Sequence, residues 1–205
     1  MTEPQWKPVI SRPANLTVAY DNAVLAADDP VPWCQQKAAE LLGPGARSKQ
    51  VSRLAQCLQE YAKYFRSEEV TYAAIFFYPD FTRIPPRAGT QIFLFEDAHA
   101  GPMTMARARA LFAPDESSFG ETEMTETEVP AGPALRVHRF RKLEPDKRRT
   151  DITEELVWVI WPPGSLQYAM IATTWSESGF SKAGTTIADD IANNFRTEPV
   201  ESGSD

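Results

Sequence analysis

Residues 121–175, ETEMTETEVPAGPALRVHRFRKLEPDKRRTDITEELVWVIWPPGSLQYAMIATTW, decide the fold. Threonine-rich or aromatic and β-branched runs alternate there with strong turn formers. Pro130-Ala131-Gly132-Pro133 follows the first run, the charged residues 144–151 follow the second, and Pro162-Pro163-Gly164 follows the third. Proline lacks an N–H and fixes φ, and glycine accepts backbone angles other residues avoid, so these clusters end strands. Strands are predicted over 121–129, 134–143, 155–161 and 166–175. Successive strands joined by short turns pair antiparallel.

Working outward, residues 182–196 carry Ala183, Ile187, Ala188, Ile191, Ala192 and Phe195 at helical spacing, with Ser181 as cap. Upstream, Val51, Leu54, Ala55, Leu58, Tyr61, Ala62 and Phe65 recur at three- and four-residue steps and predict a helix over 48–66, capped by Ser48. A shorter helix over 31–42 has Pro32 in its first turn and stops at Gly43-Pro44-Gly45. Leu16, Val18 and Tyr20 mark a short strand. Residues 70–78 and 91–96 read as a hairpin with a long loop over 81–89. Residues 104–112 read as a short helix with Met105, Ala108, Leu111 and Phe112 inward. Apolar helix stripes must be buried against the sheet, which defines an α+β layered sandwich with an antiparallel sheet. The expected organisation is a flexible arm over 1–13, one domain over 14–196 and a disordered acidic tail over 197–205.

The 205-residue chain is 42% hydrophobic and 24% charged, ordinary for a globular protein, and its net charge of −7 argues against nucleic acid as the main partner. The N-terminal residues have no signal-peptide pattern and no run approaches bilayer length, so a cytoplasmic protein without membrane insertion is expected. Cys34 and Cys57 stand far apart, with no ligand set for zinc around either.

The last third, TEVPAGPALRVHRFRK, then EELVWVIWPPGSLQYAMIATTW, then IADDIANNF, resembles the closing half of the PsbP-like α/β/α sandwich. As an order of elements the resemblance covers roughly residues 30 to 196. The whole chain is also similar to a group of small actinobacterial proteins of unassigned function. Members of the wider fold are mostly non-catalytic: a photosystem II extrinsic subunit, a Ran-binding nuclear transport factor, mycobacterial lipoproteins and secretion chaperones. The resemblance implies a binding or adaptor role. This chain departs from the lipoprotein members in lacking their export signal.

No nucleophile elbow, zinc-protease or phosphate-loop motif appears, so no catalytic residue, metal ligand or cofactor is assigned. Asp97 and His99 end a strand two residues apart, where they could form a base–orienter or metal pair or simply a polar terminus. His138, in Arg136-Val137-His138-Arg139, alternates as an outward polar residue. Glu121, Glu123, Glu126 and Glu128 fall in one strand and Arg136, Arg139, Arg141 and Lys142 in the next, with Lys147, Arg148 and Arg149 in the loop beyond. Either the two strands pair charge against charge, or the basic residues form a strip for an acidic partner, the loop trio being its best candidates. Trp158, Trp161, Tyr168 and Trp175 put large rings on both faces of one hairpin. Either helices cover both faces, or one face stays partly bare for a partner or an apolar ligand.

The function expected is therefore non-enzymatic: an adaptor, chaperone or assembly subunit that binds another protein, in a secretion or other multi-protein assembly. Lys147, Arg148, Arg149, Trp158 and Trp161 are the candidate contacts, and self-association is left open. The alternative is a small-ligand protein or enzyme using Asp97 and His99.

Overall fold

The computed structural model describes residues 6–10, 17–20, 22–27, 29–68, 70–77, 80–82, 86–96, 102–143, 151–165 and 167–199. The elements are, in order, β1 (Trp6–Ile10), β2 (Thr17–Tyr20), α1 (Asn22–Ala26), α2 (Val31–Leu42), α3 (Ser48–Ser67), β3 (Tyr72–Phe76), β4 (Ala88–Glu96), α4 (Met105–Leu111), β5 (Glu123–Val129), β6 (Gly132–Lys142), β7 (Ile152–Ile160), β8 (Gln167–Trp175), α5 (Ser181–Asn194) and β9 (Phe195–Pro199). Seven strands form one sheet in the order β2-β3-β4-β8-β7-β6-β5. Every neighbouring pair is antiparallel. This is the α+β architecture that the alternation of strands and turns demanded.

Side chains alternate across the sheet, so its two faces hold separate cores. One face buries Leu156, Trp158, Ile160, Ile171 and Trp175 beneath Ala188, Ile191 and Ala192 of α5. On the other, α3 lays Leu54, Leu58, Ala62 and Phe65 over Val18, Tyr20, Ala73 and Ile75 at the β2–β3 end. Farther along that face, Ala108 and Phe112 of the α4 segment cover Leu135, Val137, Val157 and Val159. Each large apolar side chain so buried contributes about 1.5–3 kcal/mol. Both sides of the hairpin rings are thus covered, and the α5 side explains why Trp158 is core.

Several boundaries differ from the sequence reading, each for a local reason. Trp6–Ile10, expected in a flexible arm, is a strand paired with Phe195–Pro199, whose last residues were expected in the tail. Prolines are tolerated there because a two-stranded ribbon has open edges where no N–H is needed. β4 begins at Ala88, so Gly89 belongs to a strand rather than a loop. Ser181 does not cap α5. The cap position is Phe180, and Ser181 opens the helix. Arg47, not Ser48, precedes α3, with its N–H donating to Gln50 Oε1 at 3.1 Å. Leu111, expected inward, is 61% exposed, because the short α4 buries only a narrow stripe.

The two thiols are free and buried in the α2–α3 core. Burial first, then the charge of Asp29 for Cys34 and of Glu60 for Cys57, pushes both up to about 11 from the ordinary 9.0. An unfolded thiol therefore releases its proton before a folded one as pH rises. The unfolded state binds fewer protons between those values, so stability falls as pH climbs from about 9 to about 11. Urea midpoints measured across that window are expected to decline, and less so in a Cys34→Ala/Cys57→Ala chain. A slope unchanged by the double substitution would remove the thiols as its source.

Candidate functional site

The charged strands do not pair charge against charge. The Val129↔Gly132 register sets Glu126 opposite Leu135 and Thr125 opposite Arg136. The arginines turn to other elements instead. Arg136 forks onto Asp189 of α5, Nε to Oδ1 at 3.0 Å and a terminal N–H to Oδ2 at 3.2 Å. Arg139 lies across the Phe112 ring and pairs with Glu155 of β7 at 2.6 Å. Arg109 of α4 takes Glu126 at 2.8 Å.

The other residues singled out in the sequence meet different fates. Trp158, expected as a partner contact, is 5% exposed beneath α5 and packs as core. Trp161 is half-buried, and its indole N–H donates to the Met103 carbonyl, tying the end of β7 to the α4 segment. Lys147, Arg148 and Arg149 lie outside the described residues, as do Asp97 and His99. The chain leaves and rejoins the described structure at Leu143 and Asp151, joined by an N–H to carbonyl bond of 3.0 Å.

His138 is not the outward polar residue that alternation suggested. It sits on the α5 face, where its Nε2 is 2.8 Å from Oε1 of Glu154. Glu154 is only 5% exposed and also accepts from Trp175 Nε1 and Ser181 Oγ, both at 2.7 Å. Serine, histidine and carboxylate meet here, but in the wrong order for nucleophilic catalysis. The carboxylate is the hub, and His138 and Ser181 share one of its oxygens. Through these bonds the cluster fastens the start of α5 to the sheet. Among the described residues no three His, Cys, Asp or Glu side chains group to hold a metal.

The open site lies on the opposite face. The α3 cover ends over β3–β4 and the α4 cover over β6–β7, leaving a groove across the strand ends between them. Its volume is about 450 Å³, within the range of ligand sites. Gly89, Gln91 and Thr174 form the floor. Tyr61, Tyr64 and Phe65 of α3 stand on one side, and Arg141 and Lys142 of β6 with Leu143 just beyond it on the other. The floor exists because Gly89, paired with Thr174, contributes no side chain. A Cβ there would find only the Ala74 carbonyl at 3.9 Å and an Ile75 methyl at 4.0 Å. Tyr64 and Leu143 are 49% and 61% exposed, rare for large apolar residues in this chain.

Positive charge dominates the lining. Among the described residues Arg87, Arg141 and Lys142 face one carboxylate, Glu155, already engaged by Arg139. Arg87 is paired with Glu177. Arg141 donates from Nε to the Ser117 hydroxyl at 3.0 Å and lies near Asp115, whose carboxyl is held low first by the hydrogen bond from Ser117. Lys142 forms no ion pair among the described residues. Gln91 Nε2 is buried without a hydrogen-bond partner.

Sequence reasoning marked Arg141 and Lys142 as part of a basic strip but missed Gln91, Tyr61 and Tyr64 as lining. A glycine inside a strand often marks a close approach by another group, but the sequence reading placed Gly89 in the 81–89 loop, so that signal was hidden.

Fold and site together define a class: an antiparallel α+β sandwich with a cation-rimmed, tyrosine-walled groove. No protein-family model matches the chain, and no curated protein matches it.

Proposed function

We propose that this protein is a non-enzymatic binding protein, an adaptor or assembly subunit whose groove receives a segment of another protein. The observation that carries this reading is the exposure of Tyr64 and Leu143 on opposite sides of one groove. Large apolar side chains held at a concave, polar-rimmed surface are what partner anchors fill. The groove's titratable groups also support it. Among the described residues its one carboxylate is tied to a guanidinium, and no histidine or cysteine lines it. The resemblance to the mostly non-catalytic PsbP-like sandwich points the same way. The two free, buried thiols fit the cytoplasmic setting expected from the sequence. Among the described residues no helix is long and apolar enough to cross a membrane.

The test is affinity capture from the native host with wild-type protein and with Tyr64→Ala/Leu143→Ser. Both substitutions are at exposed positions, so folding should be retained. A stoichiometric protein recovered by the wild type and lost by the variant is the expected result. Equal recovery by both, or recovery of no protein by the folded wild type, overturns the reading. In the second case a small acidic molecule is the next occupant to test, because the groove volume would suit one.

A further inference from the structure

Resting on that reading, we propose that the groove selects an acidic segment: an aspartate or glutamate side chain of the partner enters between α3 and β6 and accepts a hydrogen bond from Gln91 Nε2. Three observations converge on it.

The first is the unpartnered donor. A buried amide N–H without an acceptor costs free energy that the fold does not recover internally. Gln91 lines the groove floor with its Nε2 closed off from solvent, so an occupant supplies the missing acceptor once the side chain turns toward it. The second is the charge of the walls. Among the described residues Arg87, Arg141 and Lys142 line the groove against a single, engaged carboxylate, with Arg87 itself paired to Glu177, on a chain whose net charge is −7. A positive concavity on an acidic protein favours an anion locally while the rest of the surface repels it. The third is the aromatic wall. Tyr61 and Tyr64 line the groove together with the cations, and their rings suit the apolar stem of a glutamate or a neighbouring side chain.

The same geometry favours a side-chain carboxylate over a chain terminus. Terminal carboxylates are commonly held by clustered backbone N–H groups. Here the floor strands β4 and β8 are paired along their length, Gly89 with Thr174 and Gln91 with Ala172, so their backbone is engaged in the ladder. The donor on offer at the floor is a side chain.

The experiment measures fluorescence anisotropy of a labelled acidic peptide with interspersed leucine and phenylalanine. Its Asn/Gln counterpart and its C-terminally amidated form run beside it. The acidic peptide is expected to bind, to weaken as salt rises, and to keep its affinity on amidation, while the Asn/Gln peptide loses it. Gln91→Met is expected to weaken binding about tenfold or more and to raise the urea midpoint of the free protein, because an orphaned donor is removed. A purely structural glutamine would show the opposite shift in midpoint. Equal binding of the neutral peptide, loss of binding on amidation alone, or a Gln91→Met protein that is less stable or binds unchanged overturns the proposal. Absence of peptide binding overturns it as well. If native capture still recovers a partner that Tyr64→Ala/Leu143→Ser loses, the binding function survives and only the acidic-segment inference falls.

Discussion

Replacing Glu154 by alanine is expected to lower the unfolding free energy by about 3–5 kcal/mol. Its carboxylate is almost fully buried and accepts from His138, Trp175 and Ser181 on three different elements. Removing it leaves three donors facing a cavity. The indole N–H of Trp175 suffers most, since that residue is 2% exposed and loses its acceptor in a buried setting. The same change frees the first turn of α5, which has no side-chain cap of its own. Glu154→Gln separates the causes. It keeps the volume but turns one acceptor into a donor, so about 1–3 kcal/mol should be lost. Urea unfolding followed by tryptophan emission reads both. An alanine variant within about 1 kcal/mol of wild type would mean that the hub does not hold α5 to the sheet.

Gly132→Ala is the second large effect, expected to cost about 3 kcal/mol or more. Gly132 closes the turn between β5 and β6 with φ at 136°, where side chains are rarely tolerated. A Cβ there would lie 2.4 Å from the Trp161 carbonyl oxygen and 3.0 Å from the Pro163 ring. The oxygen is backbone and cannot rotate away. Trp161 N–H is bonded to the Pro133 carbonyl at 2.9 Å, so the two chains are clamped at that point. Relief requires parting the ends of β6 and β7, which are paired from Ala134↔Ile160 onward. Thermal unfolding of the purified variant decides the matter, and a midpoint equal to wild type would show that the turn relaxes freely. In contrast, Gly89→Ala in β4 should fold normally, because the space beside it is open.

Much of the fold was legible because it depends on local chemistry. The turn at Pro130-Ala131, the stop at Gly43 and the stripe of α3 are all set within a few residues, and each appears where the spacing placed it. α5 ends at Asn194, so Phe195, expected in its stripe, opens β9 instead, and Ala183 is exposed. α2 begins and ends at the residues expected. Elements whose reasons are remote were missed. β1 is a strand because β9 runs beside it, and no feature of WKPVI announces that partner.

The candidate site was less legible. The arginines of β6 were visible as a basic strip, yet their partners are Asp189, Glu155 and Ser117, which lie 16 to 53 residues away in sequence. His138 looked like a surface residue because alternation tells which side of a strand a residue takes, not what covers that side.

By itself, then, the sequence determined the α+β class, the antiparallel order of its closing strands and the amphipathic helices, since periodicity and turn chemistry act over a few residues. Tertiary structure alone decided which face each helix covers and where the covers stop. Those choices buried Trp158, made Glu154 a hub and left Gly89 and Gln91 at the bottom of an open groove. The physical reason is that burial and hydrogen-bond satisfaction belong to pairs of distant residues, and a linear pattern carries only one member of each pair at a time.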